Sequence, residues 1–224
     1  MKIALQMLGS VVFGMLFFGL SLFIPAGTVN YWQAWVFMGV FMIATMGPTS
    51  CLMINDPAAL ARRMQAGPTA ETRPAQRIII TAIIASVMAT LVISALDHRF
   101  GWSSVPLWLI VVGNILVFTG LTMAQLVIVQ NSYAGASIIV ERDQPLVTTG
   151  LYGVVRHPMY SGTLVMMIGL PPALDSLWGL VAIVASLPTL MARVLDEEKM
   201  LCAELPGYRD YQTAVRYRLV PGVW

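Results

Sequence analysis

Four stretches of this chain, about 3–24, 31–54, 77–96 and 104–130, are each long and apolar enough to cross a lipid bilayer. A spanning helix needs about 20 mostly apolar residues. A chain with four such stretches folds in a membrane, because lipid leaves backbone groups no partner but each other. Composition agrees: 58% of the 224 residues are hydrophobic and 11% charged, where soluble domains carry about a quarter charged. The first stretch follows Lys2 and is longer than a signal-peptide core, with no small-x-small site after it. It is expected to be an uncleaved first span.

A fifth apolar region, about 159–195, is too long for one crossing. Pro171-Pro172 and then Asp175-Ser176 interrupt it. Proline removes a donor and crowds the preceding turn, so the region reads as a hairpin of two helices, about 159–171 and 177–195. The first arm is short for a full crossing. The expected fold is all-α and polytopic, with about five helical units, the last a hairpin.

Basic residues set the orientation. With the N-terminus inside, the inner segments hold Lys2, Arg62, Arg63, Arg73, Arg77, Arg142, Arg156, Arg193, Lys199, Arg209, Arg216 and Arg218, and the outer loops hold Arg99 alone. That gives N-in and C-in. The inner loop 55–76 opens on Asp56-Pro57, a helix cap followed by proline at the first helical position. Ala58 to Ala66 suits a short helix at the interface or a plain solvated loop, and Gly67-Pro68 ends it.

Several function classes are excluded or left unsupported. A net charge of +2 offers no broad basic face for nucleic acid. Cys51 and Cys202 are far apart and read as packing thiols, so no metal is expected. In the fourth span Asn114 and Gln125 share a helix face. They either bond to neighbouring helices or border a substrate cavity.

Chemistry concentrates after Asn131, dividing the chain into a membrane region, 1–130, and a catalytic region, 131–224. The stretch to Pro158 is polar and includes Glu141, Arg142, Asp143 and Gln144. It ends in Arg156-His157-Pro158-Met159-Tyr160. Pro158 suits the first position of the hairpin helix, whose N-terminus favours an anion. Arg156 and His157 either add to that anion site or serve lipid phosphate and the helix cap. Arg193 and Glu197 are four apart and share a face, and Glu198 follows. These carboxylates need solvent or a cationic partner, such as a ligand ammonium or sulfonium, or Arg156. The tail carries Gly207-Tyr208 and Tyr211. Its tyrosines suit interfacial anchoring, or the wall of a nucleoside pocket.

The block from Gln144 to Gly162, the set Glu197-Glu198-x-x-Leu201 and the set Gly207-Tyr208-x-x-Tyr211 closely resemble the isoprenylcysteine carboxyl methyltransferase family in order and spacing. The resemblance covers about residues 131–224. It implies an integral membrane enzyme that uses S-adenosylmethionine, releases S-adenosylhomocysteine and faces the cytoplasm. It implies cofactor contacts at Gln144, Pro145, Leu146, Val147, Tyr152, His157, Pro158, Met159, Tyr160 and Glu197. Arg156 and Glu198 are secondary candidates. Arg193 matches the residue that positions the acceptor. The implied acceptor is lipophilic and enters from the bilayer, past the Asn114–Gln125 face. The carboxylate of an isoprenylcysteine-like molecule is favoured over a phospholipid amine or a small thiol. A sterol-type reductase shares an Arg-His-Pro-x-Tyr segment, but the paired glutamates and the tail argue against it. A transporter lacks the expected repeat or charged path.

Overall fold

The structure is a computed structural model that describes residues 2–64, 67–71, 73–135, 140 and 144–224. Ala66 and the Glu141-Arg142-Asp143 run lie outside the described residues. The described residues form eight α-helices: α1 (Lys2–Ala26), α2 (Trp32–Asn55), α3 (Pro57–Met64), α4 (Pro74–Phe100), α5 (Leu107–Gln130), α6 (Pro158–Ala173), α7 (Trp178–Glu204) and α8 (Tyr208–Ala214). Five of them, α1, α2, α4, α5 and α7, are long and apolar enough to cross a membrane. All four expected spans appear, and so do both arms of the hairpin. The short helix of the 55–76 loop also forms, with the Asp56 carboxylate accepting from the Ala59 N–H at 2.9 Å. That contact holds the Asp56 pKa below the usual carboxylate range.

The two arms of the hairpin differ. The first, α6, has 16 residues and rises about 24 Å, short of a hydrocarbon core of about 30 Å. It lies antiparallel along α5. A Cβ at Gly113 would stand 2.5 Å from the backbone of Ala173, and one at Gly120 would strike the Gly162 carbonyl. Gly113 and Gly120 therefore meet Gly169 and Gly162 backbone to backbone, as small residues allow in lipid. The second arm runs nine residues past its expected end at 195. Its charged extension persists because Asp196 and Glu198 find partners from elsewhere in the chain. It packs antiparallel on α4, with Gly179 against Ser94 and Pro171.

The helices end in two clusters. At one end lie the α4–α5 and α6–α7 connections and five exposed tryptophans: Trp32, Trp35, Trp102, Trp108 and Trp178. Such a belt suits a membrane–water interface. A buried clasp closes this end. Asp97 accepts from the Ser103 N–H (2.7 Å), the Ser103 hydroxyl (2.6 Å), the Ser176 hydroxyl (2.7 Å) and the Trp178 N–H (3.3 Å). Asp175 takes the Val105 N–H and the Gln33 amide. The polar break at Asp175-Ser176 is thus the knot between two loops. At the opposite end stand the start of α6, the last turns of α7, the 67–77 segment and the tail.

Candidate active site

Four segments converge at that second end. The first is the start of α6, where His157 occupies the cap position and Pro158 is the first helical residue, as expected. The His157 side chain does not cap the helix. Its Nε2 lies 3.4 Å from the Glu198 carboxylate. The second is the run 144–148, outside regular secondary structure, with the 3₁₀ turn Gly150–Gly153. The third is the inner end of α7. The fourth is the tail, whose backbone receives the Arg156 and His157 N–H groups at Tyr217 and Arg218.

The adjacent glutamates point apart, since neighbours on a helix differ by about 100°. Glu198 is 5% exposed and enters an ion cluster. Its carboxylate lies 2.7 Å from Arg156 Nε and 2.8 Å from Arg218 Nε. Arg156 also donates to the Val215 and Arg216 carbonyls. This cluster pins the tail across the start of α6, and Ser161 adds a hydrogen bond to the Leu219 carbonyl. Glu197 instead faces a cleft and accepts from the Tyr160 hydroxyl at 2.7 Å.

That cleft is lined by Gln144, Pro145, Leu146, Val147, Tyr152, His157, Pro158, Met159, Tyr160 and Glu197, which are all ten expected cofactor residues. Arg193 and Arg156 also line it; Glu198 does not. Two tyrosines of the tail, Tyr208 and Tyr211, form part of the cleft wall. The Tyr211 hydroxyl donates to the Tyr152 carbonyl at 2.7 Å. Asn131 donates to the Tyr152 hydroxyl at 3.2 Å. Burial pushes the Tyr152 phenol up to about 12, against that hydrogen bond. The Tyr208 hydroxyl is buried and has no partner among the described residues.

Beside the cleft, within the helices, lies an apolar chamber of about 390 Å³. It is walled by one face of α4 (Ile80, Ile83, Val87), by Leu121 and Ala124 of α5, and by α6 and α7. Met159, Tyr160 and Arg193 line both spaces. Asn114 and Gln125 do not border the chamber. Asn114 lies on a separate apolar groove with Trp32 and Leu107, and Gln125 is buried.

Arg193 stands between the two spaces, and sequence reasoning missed what holds it. Its Nη1 lies 2.7 Å from the Glu71 carboxylate and donates to Gln76. Its Nε donates to the Tyr160 hydroxyl at 3.2 Å. Glu71 is 2% exposed. In the sequence it is one acid in a polar loop, more than a hundred residues from its partner, and no local pattern marks it.

Comparison with known proteins follows the same lines. Residues 105–205 match the phospholipid methyltransferase family. Over 167 residues the chain is 26% identical to the cobalt-zinc-cadmium resistance protein CzcN of Cupriavidus metallidurans, covering 72% of this chain and 69% of that protein. The solved structure of a eukaryotic intramembrane Ras methyltransferase, isoprenylcysteine carboxyl methyltransferase, matches with a TM-score of 0.53. That match spans 97% of this chain and 86% of the other at 16% identity, a likeness of fold. Residues 105–205 thus resemble the phospholipid methyltransferase family, and the chain is a multi-pass membrane protein with the fold of isoprenylcysteine carboxyl methyltransferase.

Proposed function

We propose that this protein transfers a methyl group from S-adenosylmethionine, held in the cleft, to a lipophilic acceptor held in the chamber. The supporting observation is the shared wall. Met159, Tyr160 and Arg193 each border a polar cleft on one side and an apolar chamber on the other. A donor and a lipid-like acceptor would meet there.

The cleft suits this donor. Glu197 offers negative charge toward a sulfonium or ammonium. The unpartnered Tyr208 hydroxyl is a buried polar atom that a ligand would satisfy. Tyr152 and the 144–147 run suit adenine and ribose, and His157 with the start of α6 suits a carboxylate. When bound, S-adenosylmethionine supplies an activated methyl carbon; a bond to the acceptor forms as the carbon–sulfur bond breaks and its electron pair returns to sulfur. The residues need only align the partners and exclude water, which carries most of the acceleration in such displacements. Met159 and Tyr160 fix the line of approach. The apolar chamber walls keep water out. In this reading 1–130 supplies the scaffold, 131–224 the catalytic region, and the basic residues place the cleft at the cytoplasmic face.

Two acceptor classes ask different things of Arg193. An isoprenylcysteine-like carboxylate needs the guanidinium to turn from Glu71. A phospholipid amine or a small thiol needs no exchange, though it must lose a proton. The Arg193–Glu71 pair favours the second class. A transfer assay with labelled donor and three acceptors, a farnesylcysteine analogue, phosphatidylethanolamine and a small hydrophobic thiol, tests this. Label in the amine or the thiol is the expected result. Label in the farnesylcysteine analogue alone, or in none of the three, would overturn the acceptor assignment.

A further inference from the structure

We infer that Glu71 sets the charge of the acceptor: by neutralising Arg193 at the mouth of the chamber, it turns away anionic nucleophiles and admits neutral ones. This rests on the proposed use of the chamber.

Glu71 is fixed from several sides. Its backbone carbonyl accepts from Arg77 Nε at 2.8 Å. Its carboxylate meets Arg193 Nη1, which also donates to the Gln76 side chain. Gln76 in turn donates to Asp196, and Asp196 pairs with Arg73 at 2.9 Å. Glu71, Arg73 and Gln76 are thus riveted to α7, and the Arg193 guanidinium is aimed with Nε on Tyr160. The Tyr160 hydroxyl then donates to Glu197. Glu71, Arg193, Tyr160 and Glu197 form one chain of contacts from the loop to the donor cleft.

Among the described residues, the rest of the chamber lining carries no formal charge. Its polar side chains are hydroxyls: Ser86, Thr90, Thr163 and Ser186. Each donates to a carbonyl of its own helix, at Ala82, Ser86, Met159 and Ile183. Their remaining capacity is lone pairs. A nucleophile bearing N–H or S–H finds acceptors here. A carboxylate finds oxygen lone pairs and a cation already paired, and a buried charge without a counter-ion is costly. Glu71 is therefore a specificity-determining residue that acts through Arg193.

The test uses full-length protein in lipid nanodiscs and two acceptors sharing one farnesyl thioether chain, one ending in a carboxylate and one in an amine. Wild type should prefer the amine. Glu71→Gln keeps the shape and removes the charge, so the ratio of kcat/KM for carboxylate over amine should rise at least about tenfold, with donor affinity unchanged by calorimetry. Glu71→Asp should return the ratio toward wild type. An unchanged ratio in folded, donor-binding Glu71→Gln would overturn the inference. If that variant does not fold, wild type decides alone: equal or better use of the carboxylate overturns it. Absence of donor binding or of any transfer by wild type would instead defeat the proposed function.

Discussion

The two ends of this bundle bury similar polar residues to opposite effect. At the tryptophan-rich end, Asp97 and Asp175 take donors from two loops, and Asp97 is fully buried. At the other end, Glu198 is equally committed, to Arg156 and Arg218. Its neighbour Glu197 faces a cleft instead, and Tyr208 helps to wall that cleft with a buried hydroxyl that has no partner among the described residues. The difference teaches that burial and charge alone do not mark a site. Saturated acids knot loops together, while polar groups beside a space are the ones the proposed donor would meet.

Substitutions can break that comparison. The largest effect is expected from Glu198→Ala, which leaves Arg156 buried without its partner. Losing one member of a buried pair costs about 3–5 kcal/mol. Thermal unfolding in detergent should show that loss and a freed tail, whereas a shift under about 1 kcal/mol would mean the cluster is not a knot. Asp97→Ala should cost about 2 kcal/mol, since it strands donors of both loops. Its folded fraction should bind the donor as wild type does; a parallel fall in affinity would remove the distinction between the ends.

Glu197→Gln sharpens the contrast from the other side. Its stability should stay within about 0.5 kcal/mol, while donor affinity falls about tenfold, about 1.4 kcal/mol. Calorimetry reads the second and thermal melts the first. Tyr208→Phe is the subtlest. Removing an unpartnered hydroxyl should not destabilise the fold, yet donor affinity should fall a few-fold. A variant that melts lower and binds normally would make that hydroxyl structural.

The spans were legible because apolar length is a local property that lipid enforces directly. The cap at Asp56 and the helix start at Pro158 were legible for the same reason: each is written in two or three adjacent residues. The extension of α7 was not, because charges after Arg193 read as loop until Asp196 and Glu198 are given partners from other segments. Helical spacing correctly puts Asn114 and Gln125 on one face, but spacing cannot say what covers that face. The chamber opened instead against α4. The close contact of α5 and α6 hides in four glycines whose pairing needs both helices in place. Tyr208 and Tyr211 read first as interfacial anchors and second as pocket walls, and the fold of the tail sets both against the cleft. The ten expected cofactor positions came from the resemblance, and the cleft gathers them from three separate segments.

The most direct measurement is titration of S-adenosylmethionine into the purified protein, its Glu197→Gln variant and its Asp97→Ala variant. Saturable binding to wild type and to folded Asp97→Ala, with affinity about tenfold weaker in Glu197→Gln, is the expected result. No binding to wild type, or equal affinity in all three, would contradict the assignment of the cleft as the methyl-donor site.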